Sequence, residues 1–315
     1  MSDAGEFPFE KNLLKFAAID IGSNAVRLLF CNVYDQPNGE TVFKKSSLIR
    51  VPIRLGEDSF ANQIISPKKE EQLVKTMIAF RNLIDVSEVI SYRACATSAM
   101  REARNSQSVV DRILLESGIK VEVIEGQKEA EIIYANHTAE LINSRKTYLY
   151  IDVGGGSTEL TLFSNGKICA SKSFNIGTIR LLKGMVSKER WQEMKEWIVE
   201  ATAKYENIAG IGSGGNINKL VGLARKKDDR QISYSKLKEL YSSLSLYTVE
   251  ERITLMGMNP DRADVILPAT EIFITVMKTA NIQKIMVPQI GLSDGIIHLL
   301  YENFMEQSKL PLASQ

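Results

Sequence analysis

Residues 149–161 read LYIDVGGGSTELT, and this stretch decides the fold of the 315-residue chain. An apolar run ends at Asp152, glycines and two hydroxyl residues follow, and a second apolar run begins at Glu159. This order predicts a strand, a tight turn and a returning strand. Glycines in such a turn can adopt positive φ and direct successive backbone N–H groups at one point, so the turn is a candidate phosphate-binding loop.

A carboxylate stands on each side of this turn, at Asp152 and at Glu159. Two carboxylates would repel a bare phosphate, so the arrangement favours a divalent cation between them. The alternative is an ordinary glycine-rich hairpin, whose glycines serve only the turn.

A second copy of the pattern lies near the start of the chain. Residues 15–30 read KFAAIDIGSNAVRLLF, which is again an apolar strand, an Asp-x-Gly turn and an apolar strand. Asp20 and Asp152 occupy equivalent positions in the two copies, so Asp20 joins the candidate metal site. Two such hairpins indicate an internally duplicated protein.

A third glycine loop ends another apolar stretch and opens a predicted helix, in residues 209–216, AGIGSGGN. Backbone N–H groups at the start of a helix favour an anion. The three loops together provide the following candidate phosphate-binding residues: Gly22, Ser23 and Asn24; Gly154, Gly155, Gly156, Ser157 and Thr158; Gly212, Ser213, Gly214, Gly215 and Asn216.

Composition limits the class of protein. A net charge of +1 argues against a broad nucleic-acid surface, and 44% hydrophobic with 24% charged residues is typical of a soluble globular protein. The three cysteines lie far apart, without zinc-binding or disulfide spacing. No apolar run reaches membrane-spanning length, and the first residues do not form a leader pattern. We therefore expect a soluble cytoplasmic protein without nucleic-acid or membrane partners; a homodimer is compatible with this composition.

Two further segments carry candidate site residues. A strand predicted over residues 86–94 is followed by residues 96–103, which open a helix and place Thr97 and Arg101 toward a site if the strand belongs to the sheet. The alternative for Arg101 is a solvated helix surface. A helix predicted from residue 125 to about residue 142 has Glu129 in its first turn, where the alternative role is to interact with the helix dipole.

The remaining pattern predicts two α/β domains. Strands in sets of three, followed by alternating helices and strands, occur twice, which indicates two domains with a cleft between them. Later helices are predicted over residues 187–205 and 261–279, and a last helix begins at residue 292. Trp191 and Trp197 in the first of these are expected in the core.

With these motifs in view, the chain resembles the exopolyphosphatase and guanosine pentaphosphate phosphohydrolase family of the actin-like phosphotransferase superfamily. The resemblance runs from about residue 16 to residue 300. It rests on six ordered motifs: AAIDIGSN (17–24), ATSAMREA (96–103), VIEGQKEAEIIY (123–134), IDVGGGSTEL (151–160), IGTIRL (176–181) and RADVILP (262–268).

The resemblance implies two actin-like, ribonuclease H-like α/β domains. Residues 1–130 with the helix 292–306 would form the first domain, and residues 131–291 the second, without the helical C-terminal domain of longer relatives. It also implies that the phosphate loops bind polyphosphate or guanosine pentaphosphate with Mg²⁺ or Mn²⁺ on Asp152 and Glu159, that Arg101 assists, and that Glu129 activates water. The dipole of the helix that begins at residue 125 and the positive charge of Lys128 are expected to keep the Glu129 carboxylate ionised.

The chain departs from the family pattern at three places. Lys128 replaces an acid, Gly215-Asn216 replaces Thr-Ala, and Ser293-Asp294 replaces Arg-Glu. These changes leave the expected base and metal ligands in place and bear on the choice of substrate.

Two other classes of function fit the same hairpins. An actin-like kinase or ATPase is one of them, because the fold alone does not decide function. Such an enzyme would need an adenosine pocket in the second domain. A non-catalytic sensor of guanosine tetra- or pentaphosphate would have Glu129 directed away from the cleft.

Overall fold

The structure is a computed structural model that describes residues 13–36, 39–134, 146–224 and 230–309. Within these residues the chain forms two mixed sheets flanked by helices. No helix in the described part of the chain combines the length and the apolar character needed to span a membrane.

The first sheet has five strands in the order β3-β2-β1-β4-β5. Its strands are β1 (Leu14–Ile21), β2 (Val26–Asp35), β3 (Thr41–Val51), β4 (Ser91–Ala96) and β5 (Val121–Val123). The associated helices are α1 (Gly56–Asn62), α2 (Pro67–Val86), α3 (Ser98–Glu102), α4 (Ser106–Ser117) and α5 (Gly126–Tyr134). Strands β1 to β3 pair antiparallel, whereas β4 runs parallel to β1 and β5 parallel to β4.

The second sheet has six strands in the order β10-β11-β9-β6-β7-β8. Its strands are β6 (Thr147–Val153), β7 (Thr158–Ser164), β8 (Lys167–Phe174), β9 (Ala209–Ser213), β10 (Gln231–Ser233) and β11 (Lys284–Met286). Its helices are α6 (Thr178–Leu182), α7 (Lys188–Thr202), α8 (Gly215–Leu223), α9 (Tyr234–Ser245), α10 (Val249–Thr254), α11 (Pro260–Ala263) and α12 (Ile266–Thr279), followed by α13 (Leu292–Lys309).

The two sheets repeat one topology, which confirms the predicted fold class. Strands β8-β7-β6-β9-β11 of the second sheet follow the same order and directions as β3-β2-β1-β4-β5 of the first. Alternation along β1 directs Ala17, Ile19 and Ile21 to one apolar core, and Phe16 and Ala18 to another. A strand with both faces apolar is buried on both sides.

A third core joins the halves through α5 and α13. Ile132 of α5 and Ile296 of α13 pack with Phe16 of the first sheet and Tyr148 of the second. A Cβ atom on Gly295 would collide with the backbone of Ile132, so the two helices approach closely only because residue 295 is glycine. The C-terminal helix therefore lies against the first sheet and carries residues 292–294 to the cleft.

Two predicted elements had wrong boundaries, and one helix was missed. The strand predicted from residue 86 begins at Ser91, because α2 continues through Val86 and the chain turns at Glu88 with a φ of 53°. The helix predicted over residues 261–279 is interrupted between α11 and α12, where Pro268 cannot donate a backbone hydrogen bond to the carbonyl of Asp264. Helix α1 was not predicted.

Two other predictions have simpler outcomes. The helix predicted from residue 125 is described from Gly126 to Tyr134, and residues 135–142 lie outside the described residues. Trp191 and Trp197 are partly buried against the core of the second half, as expected.

Candidate active site

The ends of the central strands of both sheets meet at a cavity of about 440 Å³. The predicted residues that line it are Asp20, Gly22, Ser23, Asn24, Thr97, Glu129, Asp152, Gly154, Gly155, Ser157, Glu159, Ser213, Gly214, Gly215 and Asn216. The structure thus brings together most of the residues selected from the sequence, from segments that are far apart in the chain. Gly156, Thr158, Gly212 and Arg101 are not in the cavity lining.

The second hairpin places its two carboxylates side by side. Asp152 on β6 and Glu159 on β7 are directly opposite each other in the antiparallel register. Glu159 is buried and its Oε1 accepts a hydrogen bond of 2.8 Å from Ser173, which fixes the carboxylate. Burial, then the charge of Glu159, raises the pKa of Asp152 to about 7. Burial also raises the pKa of Glu159.

The first hairpin differs at the matching register position. Asp20 is opposite Arg27 across β1 and β2, where the second hairpin has Asp152 opposite Glu159. Arg27 Nη1 lies 2.6 Å from Asp20 Oδ2. Asp20 is therefore already neutralised by an arginine, which leaves it a weaker candidate ligand for a cation than Asp152 or Glu159.

Glu129 lies in the first turn of α5, lines the cavity and is only 9% exposed. Its pKa is raised well above the usual value, first by burial and then by the charges of Glu159, Asp152 and Asp20. The expectation of a readily ionised carboxylate was wrong, because desolvation outweighs the helix dipole. Lys128 gives no help, since it is exposed and pairs with Glu131 at 3.1 Å.

Glu129 has unsatisfied hydrogen-bonding capacity. Its Oε2 is buried without a hydrogen-bond partner among the described residues. A buried carboxylate oxygen without a partner is costly, so this atom is suited to a water molecule or another ligand in the cavity.

The first two loops touch each other, and glycine makes that contact possible. A Cβ atom on Gly155 would lie 2.9 Å from the Cβ of Ser23, and one on Gly156 would collide with the ring of Phe60. None of Gly154, Gly155 and Gly156 has positive φ. The predicted reason for these glycines was therefore wrong: Gly155 and Gly156 are required by close packing between segments, and a Cβ atom on Gly154 would meet only the carbonyl of Ser157 in the same turn.

Hydrogen bonds hold the first two loops in place. Ser23 Oγ and Ser98 Oγ are 2.8 Å apart, and Thr158 Oγ1 donates to the carbonyl of Ile176 at 2.5 Å. The backbone N–H groups of Thr178 and Ile179 donate to the carbonyls of the second loop. Thr158 is thus a buried support of the loop and does not itself face the cavity.

The third loop contains the glycine with an unusual backbone. Gly214 has a φ of 101° and precedes α8, whose first residue is Gly215. Ser213 Oγ donates to the carbonyl of Ile290 at 2.8 Å. Gly212 lies within β9, where an added Cβ would touch Ile285, Ile217 and Phe273. Gly212 therefore belongs to the core beneath the loop.

Arg101 and Thr97 lie where β4 meets α3. Thr97 is buried and lines the cavity, whereas Arg101 Nη1 donates to the carbonyl of Ile124 at 2.8 Å and Nε lies 3.7 Å from Glu125. The charge of Arg101 still lowers the pKa of both Glu129 and Glu159, against the stronger effect of burial. Its guanidinium is therefore close to the carboxylates, behind the cavity wall.

Sequence reasoning missed four basic residues that line the cavity, Arg27, Lys45, Arg50 and Arg262. Lys45 donates to the carbonyl of Gln289 at 2.8 Å and pairs with Asp294 at 2.6 Å. Arg262 donates to the carbonyl of Gly215. Arg27 was detectable, because it occupies the position of Glu159 in the duplicated hairpin, and RADVILP included Arg262. Lys45 and Arg50 lie in β3 without any motif.

The donor set is compatible with a small, hard cation. Asp152 and Glu159 provide two adjacent carboxylates, and no group of three or more His, Cys, Asp or Glu side chains in the described residues is arranged to hold a metal ion by itself. Mg²⁺ commonly binds through one or two carboxylates together with water and phosphate oxygens. The residues present therefore fit Mg²⁺ held jointly by protein and phosphate.

The whole chain has a close structural counterpart. The solved structure of an exopolyphosphatase from Cytophaga hutchinsonii superposes with a TM-score of 0.78 at 24% identity, over 92% of this chain and 98% of that chain. This likeness establishes the fold, which belongs to the two-sheet, actin-like α/β class. Within that class the chain belongs to the Ppx/GppA phosphatase family, whose model matches residues 35–304.

Three curated relatives are similar over most of the chain. The bifunctional 3-dehydroquinate synthase/phosphatase of Fusobacterium nucleatum is 30% identical over 83% of this chain, which spans 43% of that relative. Exopolyphosphatase 1 of Mycobacterium tuberculosis is 24% identical, covering 90% of this chain and 87% of the relative. The guanosine-5'-triphosphate,3'-diphosphate pyrophosphatase of Aliivibrio fischeri is 26% identical over 90% of this chain, which spans 58% of that relative.

Proposed function

We propose that this phosphohydrolase releases the terminal phosphate of inorganic polyphosphate, of guanosine pentaphosphate, or of both, by attack of water on the terminal phosphoryl group. The observation that carries the proposal is the position of Glu129, which lines the same cavity as the three glycine loops and has a buried Oε2 without a hydrogen-bond partner among the described residues. Relatives named for exopolyphosphatase and for guanosine pentaphosphate hydrolysis support these two substrates.

In this proposal, the loops and the arginines position the phosphates. Phosphoryl transfer depends mainly on positioning and on neutralisation of charge. The backbone N–H groups of the loops and the side chains of Ser23, Asn24, Thr97 and Ser157 bind phosphate oxygens, and Arg101 adds positive charge from behind the carboxylates. A Mg²⁺ or Mn²⁺ ion on Asp152 and Glu159, when bound, supplies the charge that offsets repulsion between phosphate and carboxylates.

Glu129 is proposed as the general base that takes a proton from the attacking water. A base is most effective when its pKa is near the working pH, and burial moves the pKa of Glu129 upward in that direction. Asp20 is proposed to hold Arg27 in the cavity and, through water, the cation.

The same geometry weighs against one of the two rival functions, the non-catalytic sensor. A sensor was expected to direct Glu129 away from the cleft, and Glu129 instead lines it. A kinase or ATPase would act on ATP in preference to guanosine pentaphosphate or polyphosphate. Three unpaired thiols, Cys31, Cys95 and Cys169, agree with the proposed cytoplasmic location.

The test is phosphate release from polyphosphate, guanosine pentaphosphate and ATP, each with Mg²⁺ and with excess chelator. We expect release from one or both of the first two substrates, only with the cation, and loss of at least 100-fold in Asp152→Asn and Glu159→Gln. Glu196→Gln on the surface of α7 is the matched control. Full activity of either hairpin variant in chelator would overturn the metal assignment, and turnover of ATP alone would favour the kinase or ATPase class.

A further inference from the structure

Three guanidinium groups, from Arg27, Arg50 and Arg262, line the cavity. Arg27 and Arg50 are opposite each other in the register of β2 and β3, so they lie side by side on one face of the first sheet. Arg262 reaches the cavity from the second half, through α11. Like charges this close are stable only with anions near them.

Two of the three groups already have an anion within the protein. Arg27 pairs with Asp20 at 2.6 Å, inside the first sheet. Arg50 pairs through Nη2 with Oδ2 of Asp261, which belongs to α11 on the other side of the cleft. Asp261 is 7% exposed, so its carboxylate is held at this place and not free in solvent.

Asn24 of the first phosphate loop also binds Asp261. Its Nδ2 donates to the main-chain oxygen of Asp261 at 2.9 Å and lies 3.4 Å from the carboxylate Oδ2. A residue that the sequence assigns to phosphate binding is thus engaged by an acidic residue from the opposite half.

The pairing leaves hydrogen-bonding capacity unused. Arg50 Nε and Asn24 Oδ1 are buried without hydrogen-bond partners among the described residues. Because Arg50 contacts Asp261 through Nη2, the Nε–H of its guanidinium group stays available. A tetrahedral phosphate group could accept hydrogen bonds from both N–H groups, and such a bidentate contact is the stronger mode of binding for an arginine.

We propose that Asp261 is a specificity-determining residue whose carboxylate occupies an anion subsite formed by Arg50 and Asn24. A phosphate chain gains this subsite only by displacing Asp261. Binding of a substrate group that does not reach Arg50 does not depend on Asp261. A longer polyanion, which does reach Arg50, binds more weakly than it would without the Asp261 carboxylate. The inference rests on the proposed function, because it concerns the occupant of the same cleft.

The chain offers a matched control one helical turn away. Asp264 pairs with Arg54 at 2.8 Å, which is also an ion pair between the two halves. Neither Arg54 nor Asp264 lines the cavity. Removing this pair loosens the contact between the halves to a similar degree without freeing an anion subsite.

The experiment measures binding of bis(phosphonomethyl)phosphinate, the tripolyphosphate analogue in which methylene groups replace both bridging oxygens. Titration calorimetry with Mg²⁺ compares the full chain with Asp261→Asn, which keeps the main-chain acceptor for Asn24. We expect Kd to fall about tenfold in Asp261→Asn and to change less than twofold in Asp264→Asn. Asp261→Ser repeats the test if the asparagine variant does not fold.

Arg50→Gln distinguishes a freed anion subsite from a general loosening of the contact between the two halves. In the Asp261→Asn background, Arg50→Gln should abolish the whole gain in affinity, because the freed Arg50 is the source of that gain. An unchanged Kd in Asp261→Asn, an equal fall in Asp264→Asn, or a gain that survives Arg50→Gln would each overturn the proposal. Failure to hydrolyse tripolyphosphate, with the binding pattern intact, would count against the proposed function alone.

Discussion

Glu129 lies in the first turn of a helix, where the dipole lowers the pKa of a carboxylate, but its burial raises the pKa by more. The neighbouring carboxylates add to the effect, so its proton is held more tightly than that of an exposed glutamate. For a general base an upward shift is useful, because it moves the pKa from the acidic range toward the working pH. The positive charge of Arg101 acts in the opposite direction, and a bound cation would do the same.

The first prediction is that Glu129→Gln lowers kcat by about 10² to 10⁴-fold and leaves substrate affinity nearly unchanged. Glutamine keeps the shape of the side chain and removes the base. Glu131→Gln is the control, because Glu131 is exposed on the same helix and, among the described residues, pairs with Lys128 alone. Steady-state kinetics decide the matter, and a wild-type kcat in Glu129→Gln would remove this residue from the chemistry.

The second prediction concerns Asp152 and pH in the absence of divalent cation. Its folded-state pKa is about 7, against about 3.9 for an exposed aspartate, so the folded state binds more protons between these values. The contribution of the group to stability is therefore complete below about pH 4 and is lost as pH rises through about 7.

In chelator, Asp152→Asn should consequently melt at a higher temperature than the wild-type protein, with a difference that grows from pH 5 to pH 8. Thermal unfolding at the two pH values measures it, and Mg²⁺ should raise the melting temperature of the wild-type protein alone. A difference that stays constant with pH would show that Asp152 titrates normally.

At the scale of elements, the two hairpin turns meet because glycine and serine leave room for them. The β6–β7 turn is held by the start of α6, whose backbone N–H groups donate to its carbonyls, and the β1–β2 turn is held by the segment before α1. The loops are therefore fixed by their neighbours, so that little reorganisation is needed when phosphate binds.

The third prediction is that Gly155→Ala destabilises the protein by about 1 to 3 kcal/mol and lowers activity, because the new methyl group would force Ser23 or Ile179 aside. Gly222→Ala in α8 is the control. A Cβ there meets nothing within 4 Å, and alanine in a helix is favoured over glycine by about 0.5 to 1 kcal/mol. Urea unfolding compares the two variants; equal stability of Gly155→Ala and the wild-type protein would contradict the packing argument.

At the scale of the whole molecule, Arg180 joins the two halves. It is 5% exposed, donates through Nε to the carbonyl of Gly156 at 2.7 Å and pairs with Glu102 of α3. Its guanidinium also stacks on the ring of Phe60 of α1, 3.9 Å from the centroid. One side chain thus ties the second phosphate loop to the first half.

The fourth prediction is that Arg180→Met lowers the free energy of unfolding by about 2 to 3 kcal/mol, because a charged hydrogen bond to the loop and an ion pair are lost together. Arg190→Met is the control, since Arg190 makes side-chain hydrogen bonds only at 3.4 Å. Chemical unfolding gives the difference. If both variants were equally stable, Arg180 would not hold the halves together.

The division into residues 1–130 with 292–306 and residues 131–291 stays a prediction, and we further predict that the cleft closes on substrate. The division is supported by the separate cores beneath the two sheets and by the packing of α13 on β1. The ion pairs of Arg50 and Arg54 cross the cleft, so closure and substrate binding are expected to be coupled.

The sequence by itself determined the duplicated fold and fifteen of the residues that line the cavity. Asp152 and Glu159 were predictable because a hairpin fixes its own register, and the loops were predictable because glycine and hydroxyl residues mark turns at the ends of apolar strands. Tertiary structure alone decided the rest. Arg50 and Asp261 are 211 residues apart, and no local pattern encodes their contact. The pKa of Glu129 depends on burial and on the charges of Glu159, Asp152 and Asp20, which come from both halves. Gly155 and Gly156 are required by the packing of Ser23 and Phe60 against them. Each of these is a property of segments that meet only in the folded chain.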